Sequence, residues 1–173
     1  MPAQWARIDL PDSKAYAMNE LILLRHAHAL NAATGETDTD RRLSPIGEAE
    51  SDAAGVWLKA HHAQPLRVLC SPSQRTRATL ERVLTQIGYA DARFDERIYD
   101  ATPGTLFDLL DEHRDASQLM LVGHNPGIET LVALLATGQS GDFRGVPPAG
   151  LAWFELNGAL EPGAGTLKAF WSP

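Results

Sequence analysis

The sequence carries a single cysteine, Cys70, so no disulfide framework can form within the chain. Cys70 closes the apolar run Leu66 to Cys70 and reads as a buried structural thiol rather than a nucleophile. Also missing is any apolar run approaching the about 20 residues that a bilayer-spanning helix needs. There is no cationic excess: the formal net charge of -7 argues against a general nucleic-acid binder. A phosphorylated substrate would then require a locally cationic pocket. The stretch Met1 to Asn19 has no continuous apolar core and contains Asp9, Asp12 and Lys14. It does not read as a secretory signal, and a cytoplasmic location is expected. Internal repeats and low-complexity blocks are absent as well.

What is present describes an ordinary globular domain, with 44% hydrophobic and 21% charged residues. At 173 residues the chain can bury one sizeable core. Met18 stands directly before the first convincing strand, so the domain is expected over residues 18–173, preceded by an extension, 1–17, of unassigned role. Short apolar runs at Glu20 to Leu24, Leu66 to Cys70 and Gln118 to Val122 fit buried strands. They alternate with longer amphipathic segments, as when helices cover both faces of a mostly parallel sheet. The expected fold class is therefore α/β. Leu151 to Leu156 and Thr166 to Trp171, separated by a Gly- and Pro-rich stretch, predict two final strands. Ser44 as N-cap and Pro45 at the first position predict a helix through His61. Further helices are predicted from Ser71 and Pro72 to Ile87, with Gly88 as the stop, over Thr105 to His113 and over Gly127 to Leu135. Gly138 to Gly150 reads as a loop.

Chemistry gathers at three strand ends, where open α/β sheets bind ligands. The first strand runs into Arg25-His26-Ala27, the second into Ser71-Pro72-Ser73-Gln74-Arg75, and the third into Gly123-His124-Asn125-Pro126-Gly127. Parallel strands would deliver two arginines and two histidines to one edge of the sheet. That conjunction is far more specific than any of its parts.

The combination resembles the histidine phosphatase superfamily. Leu24-Arg25-His26-Ala27 is similar to its Arg-His-Gly signature with Ala27 in place of glycine, and His28 stands where a glutamate often follows. Ser71-Pro72 followed by Arg75 and Thr79 matches its Ser-Pro-x-x-Arg segment, and His124 matches its second histidine. Asp40-Arg41-Arg42-Leu43-Ser44 before the first helix, with Arg42 at a place that is frequently proline, looks most like the small bacterial SixA-type phosphohistidine phosphatases. The resemblance runs from about Met18 to the C-terminus. It implies a phosphoglycerate mutase-like three-layer α/β/α sandwich with a mostly parallel central sheet and no large cap domain. It also implies a metal-independent phosphatase that carries the phosphoryl group on His26, with protein phosphohistidine as the expected source.

The physical logic agrees with that implication. A phosphoryl group in flight spreads negative charge over its equatorial oxygens, and fixed donors stabilise it better than water. Arg25, Arg75 and His124 are suitable donors. An imidazole attacks only when neutral, and His26 qualifies if its other ring nitrogen donates to a fixed acceptor. Asp100, in Arg97-Ile98-Tyr99-Asp100, is the first choice for the acid that protonates a leaving group, with Glu96 as the fallback. Asn31 and Arg41 are candidates to line the pocket mouth.

Other polar residues have plainer readings. His28, two residues after His26, has no cluster of metal ligands around it, so neither metal nor cofactor is expected. His61, His62 and His113 read as helix-end residues. Arg77 would point away from Arg75 on a helix, and Trp57, Leu58, Trp153 and Trp171 read as packing residues. Alternative functions remain: a small-molecule phosphomonoesterase or mutase, or a catalytically silent phosphoprotein-binding module. The expected partner is a phosphorylated protein or a small phosphoester, with no nucleic acid and no membrane.

Overall fold

A computed structural model of the chain describes residues 17–141 and 145–173, so the expected N-terminal extension falls, apart from Ala17, outside the described residues. Six strands form one sheet: β1 (Glu20–Arg25), β2 (Arg67–Cys70), β3 (Asp91–Phe94), β4 (Gln118–Gly123), β5 (Leu151–Leu156) and β6 (Gly165–Trp171). Their order is β3-β2-β4-β1-β5-β6. The first four positions are parallel, while β5 runs against β1 and β6 against β5. The sheet is thus mostly parallel, as expected.

Side-chain alternation along β1 and β4 sorts the core into two layers. Leu21, Leu23, Leu119 and Leu121 face Leu106, Leu109, Leu131 and Val132 of the helices α3 (Pro103–Glu112) and α4 (Gly127–Thr137). Ile22, Leu24, Met120 and Val122 face Ala54, Leu58, Leu80 and Val83 of α1 (Pro45–Ala60) and α2 (Gln74–Ile87). Both faces of the central strands are covered, which is why they read as unbroken apolar runs. Each such fully buried leucine contributes about 1.5–3 kcal/mol. The result is a three-layer α/β/α sandwich whose described elements include no separate cap domain.

Local signals fix the helix starts. Ser44 caps α1 by accepting from the Gly47 amide, and the loop carbonyl of His28 accepts from the Ser44 amide at 3.0 Å. Gly47 permits this approach, since a Cβ there would sit 1.9 Å from the His28 carbonyl oxygen. The second helix begins later than predicted, at Gln74 with Ser73 as its cap. Ser71 instead stays extended and donates its amide to the Val122 carbonyl at 3.1 Å, prolonging the ladder past Cys70. Strand β3 and two short 3₁₀ turns, Asp38–Asp40 and Glu96–Ile98, have no apolar pattern and were not predicted. No described helix is long and apolar enough to cross a membrane.

Candidate active site

The parallel register places the predicted residues together. Arg25 is opposite Gly123 across the β1–β4 ladder, and the His26 amide continues it by donating to the Gly123 carbonyl at 3.0 Å. His26 and His124 therefore leave adjacent strands at one edge, with ring centroids 5.1 Å apart and planes at 60°. Ala27 is fully buried and packs with Leu43, Ala149 and Ala78, which explains how a methyl is accommodated there. Its amide donates to Thr79 Oγ1 at 3.1 Å, so the strand end is pinned to α2.

Partners determine the tautomers. His26 Nδ1 lies 2.8 Å from the Ala27 carbonyl, which can only accept, so Nδ1 carries the proton and Nε2 presents its lone pair. Arg75 Nε donates toward that Nε2 at 3.4 Å. His124 Nδ1 faces Arg75 Nη2, also at 3.4 Å, and must be an acceptor, since arginine offers only donors. Its Nε2–H then donates to the buried Ser71 hydroxyl at 2.7 Å. Burial, together with the charges of Arg75, Arg25 and Arg41, pushes the His26 pKa down to about 4 against the Ala27 carbonyl. Burial, His26 and Arg75 push His124 down to about 3. Both rings are neutral at physiological pH.

The cations around them are unequally engaged. Arg25 Nη1 donates to the Val146 carbonyl at 2.9 Å, but its buried Nε–H has no partner among the described residues. A buried, unpaired guanidinium donor is costly until an anion reaches it. Arg75 is almost fully buried and also binds Asp38, through Nη1 to the backbone carbonyl at 2.6 Å and Nη2 to the carboxylate at 3.0 Å. A cleft of about 730 Å³ opens beside Arg25, lined by Asn125, Glu129, Val146, Phe170 and Trp171.

The remaining predicted residues are less central. Arg41 donates to the Leu30 carbonyl and the Asp38 carboxylate, near enough to His26 to depress its pKa. Asn31 is exposed. Asp100 and Glu96 are exposed, and the side chain of their segment that reaches the cluster is Tyr99, whose hydroxyl donates to Asp38 and whose ring meets His124 edge-on at 5.2 Å. Arg77 turns away, donating to the Pro72 carbonyl and covering the Phe94 ring at 4.0 Å. His28 Nδ1 pairs with Ser44 Oγ at 2.7 Å, and His61 stacks on Trp57 at the end of α1. Burial drives the Cys70 thiol up to about 12, so it is an inert core group. No group of three or more His, Cys, Asp or Glu side chains placed to hold a metal ion occurs among the described residues.

Asp38, Tyr99 and Ser71 are contributors that sequence reasoning did not single out as site residues. Ser71 lay inside a quoted motif, so its position was available. Asp38 shares a polar loop with Glu36 and Asp40, and nothing in the sequence distinguishes it from them.

Comparison with known proteins agrees with this geometry. A sequence model of the histidine phosphatase superfamily (branch 1) matches residues 21–119. The uncharacterized protein Rv1276c of Mycobacterium tuberculosis is 35% identical over 161 residues, covering 87% of this chain and 99% of its own length. A crystal structure from Agrobacterium tumefaciens, provisionally identified as the phosphohistidine phosphatase SixA, superposes with a TM-score of 0.81 at 28% identity, covering 90% of this chain and 99% of that one. A protein histidine phosphatase SixA complexed with tungstate gives 0.78 at 25% identity, covering 89% of this chain and 97% of that one.

Proposed function

The chain belongs to the histidine phosphatase superfamily, and from that premise we propose that it dephosphorylates protein phosphohistidine through a covalent intermediate on His26. The observation that carries the reading is the His26 ring itself. Its Nδ1–H is committed to the Ala27 carbonyl, so the unprotonated Nε2 faces the Arg75 guanidinium. A neutral imidazole with one free lone pair is a competent nucleophile for phosphorus.

In the first step the Nε2 lone pair forms a bond to phosphorus while the bond to the substrate's imidazole nitrogen breaks, and the leaving ring takes a proton from solvent water. In the second, water attacks phosphorus, the P–Nε2 bond breaks, and inorganic phosphate and neutral His26 result. Arg25 Nε–H and the inner donors of Arg75 stabilise charge on the transferring oxygens. His124, neutral in the empty site, would take up a proton beside a phosphoryl dianion and become a further donor.

The substrate assignment is supported by the open cleft beside Arg25 and by similarity to SixA structures. An imidazole leaves more readily than an alkoxide, so an exposed Asp100 without a bond to the cluster suffices. Asp100→Asn should accordingly slow phosphoester cleavage more than phosphohistidine cleavage. The deciding experiment is to quench wild type during turnover of a phosphohistidine protein. An acid-labile, alkali-stable phosphate should be found on wild type and be missing from His26→Ala. Much faster turnover of a small phosphoester than of any phosphohistidine protein would transfer the assignment to a small-molecule phosphatase, and phosphate binding without turnover would indicate a silent binding module.

A further inference from the structure

The guanidinium of Arg75 has an inner and an outer edge. On the inner side, Nε and Nη2 look toward His26 Nε2 and His124 Nδ1 at 3.4 Å each, long enough to leave these donors weakly engaged. On the outer side, Nη1 and Nη2 are taken by Asp38, through a 2.6 Å bond to its carbonyl and a 3.0 Å bond to its carboxylate. Asp38 is itself fixed twice. Its Oδ2 accepts from the Tyr99 hydroxyl, and its Oδ1 accepts from Arg41 Nη1 at 3.1 Å, while Arg41 Nε donates to the Leu30 carbonyl at 2.8 Å.

We propose that Asp38 is the positioning residue of this site, gripping the outer edge of Arg75 so that its inner edge stays presented between the two imidazoles, with Tyr99 and Arg41 holding Asp38 in turn. An arginine side chain carries about 2 kcal/mol of rotamer entropy. Ordering it before substrate arrives removes that cost from the reaction and places the charge where the phosphoryl oxygens will be. Asp38 is not a proton donor in this scheme. The Tyr99 hydroxyl, with Arg41 and Arg75, holds its carboxyl well below the usual carboxylate range, so it has no proton to give at neutral pH. Its backbone carbonyl contributes as well, so the three-residue turn Asp38–Asp40 aims a carbonyl and a carboxylate at the same guanidinium.

The kinetic part of this proposal rests on the phosphatase reading, whereas its structural part does not. Two measurements therefore test it. Arginine Nε–Hε signals are recorded by nitrogen-15 NMR, with that of Arg75 identified by its loss in Arg75→Lys. Solvent exchange of the Arg75 signal should accelerate about tenfold in Asp38→Ala, the scale of one lost hydrogen bond to a charged group. Second, kcat on an aryl phosphate should fall about tenfold for Asp38→Ala in the wild-type background and less than about twofold in Arg75→Ala, because a residue acting through Arg75 has nothing to act on without it. Asp38→Asn, which keeps a carbonyl acceptor, should lie between wild type and Asp38→Ala in both measurements and stands in if Asp38→Ala does not fold. Unchanged Arg75 exchange, or an equal cost in both backgrounds, overturns the proposal. If wild type turns over neither phosphohistidine nor aryl phosphate, the phosphatase reading falls, and the exchange measurement still decides the role of Asp38.

Discussion

The two edges of the sheet use the same side chains to opposite ends. At the amino edge, Arg67 opens β2, Asp91 opens β3, and His113 and Asp115 precede β4. There Arg67 donates to Asp91 at 3.3 Å, to both oxygens of Asp115 at 2.6 and 2.9 Å, and toward His113 Nδ1 at 3.2 Å. Every cationic donor group has met a partner, and the cluster is finished as it stands. At the carboxyl edge Arg25 keeps a buried Nε–H without one among the described residues, and the inner donors of Arg75 reach only distant imidazole lone pairs. Arginine, histidine and aspartate therefore do not mark a site by their presence. The mark is unfinished hydrogen bonding in a buried place, which an incoming anion would complete.

The contrast is sharpest for His26, the proposed nucleophile. His26→Ala should abolish turnover and phosphoenzyme formation, while Arg67→Ala at the opposite edge should leave kcat within about twofold, as steady-state assays on one phosphohistidine protein would show. Comparable losses in both variants would erase the distinction. One level down, Arg75→Ala should lower kcat by about 10² to 10³ and retain a trace, since it removes a charge-stabilising donor and leaves the covalent route.

Acid should separate the edges next. His26 and His124 are buried neutral with pKa values near 4 and 3, below the ordinary 6.5, so between those limits the unfolded chain binds more protons than the folded one. Their contribution to stability is complete above about 6.5 and declines as pH falls toward 4. Urea unfolding of wild type should weaken across that window, and His124→Gln should flatten the decline; an unchanged slope would contradict the neutral assignment. The smallest expected effect belongs to Arg67→Ala, whose partly exposed ion pairs should cost about 1 kcal/mol in the same experiment.

How much of this could be read from residues alone followed from how each segment is solvated. β1 and β4 were legible because both faces of each are covered, which demands unbroken apolar sequence, and β5 was legible to the residue. β3 was not, because Asp91-Ala92-Arg93-Phe94 sits at the sheet's edge and keeps its charges in water. Arg25 ends β1, His26 and His124 directly follow strands, and Arg75 sits in the first turn of the helix after β2, so knowing the strands located all four. Asp38 and Tyr99 lie 61 residues apart in polar segments with no periodicity, and only folding shows that they meet. Asp100 itself is exposed, and the side chain of its segment that meets the cluster is Tyr99, which follows the 3₁₀ turn Glu96–Ile98.

The Val146 carbonyl oxygen accepts from both Arg25 Nη1 and Asn125 Nδ2, each at 2.9 Å. Beside it, the Ala149 amide donates to the His26 carbonyl and the Gly150 carbonyl accepts from the Arg25 amide, so 146–150 is riveted to the end of β1 and to His26. The short run 146–150 therefore works as a gauge block: a residue added or removed within it would dislodge Arg25 and the strand end together.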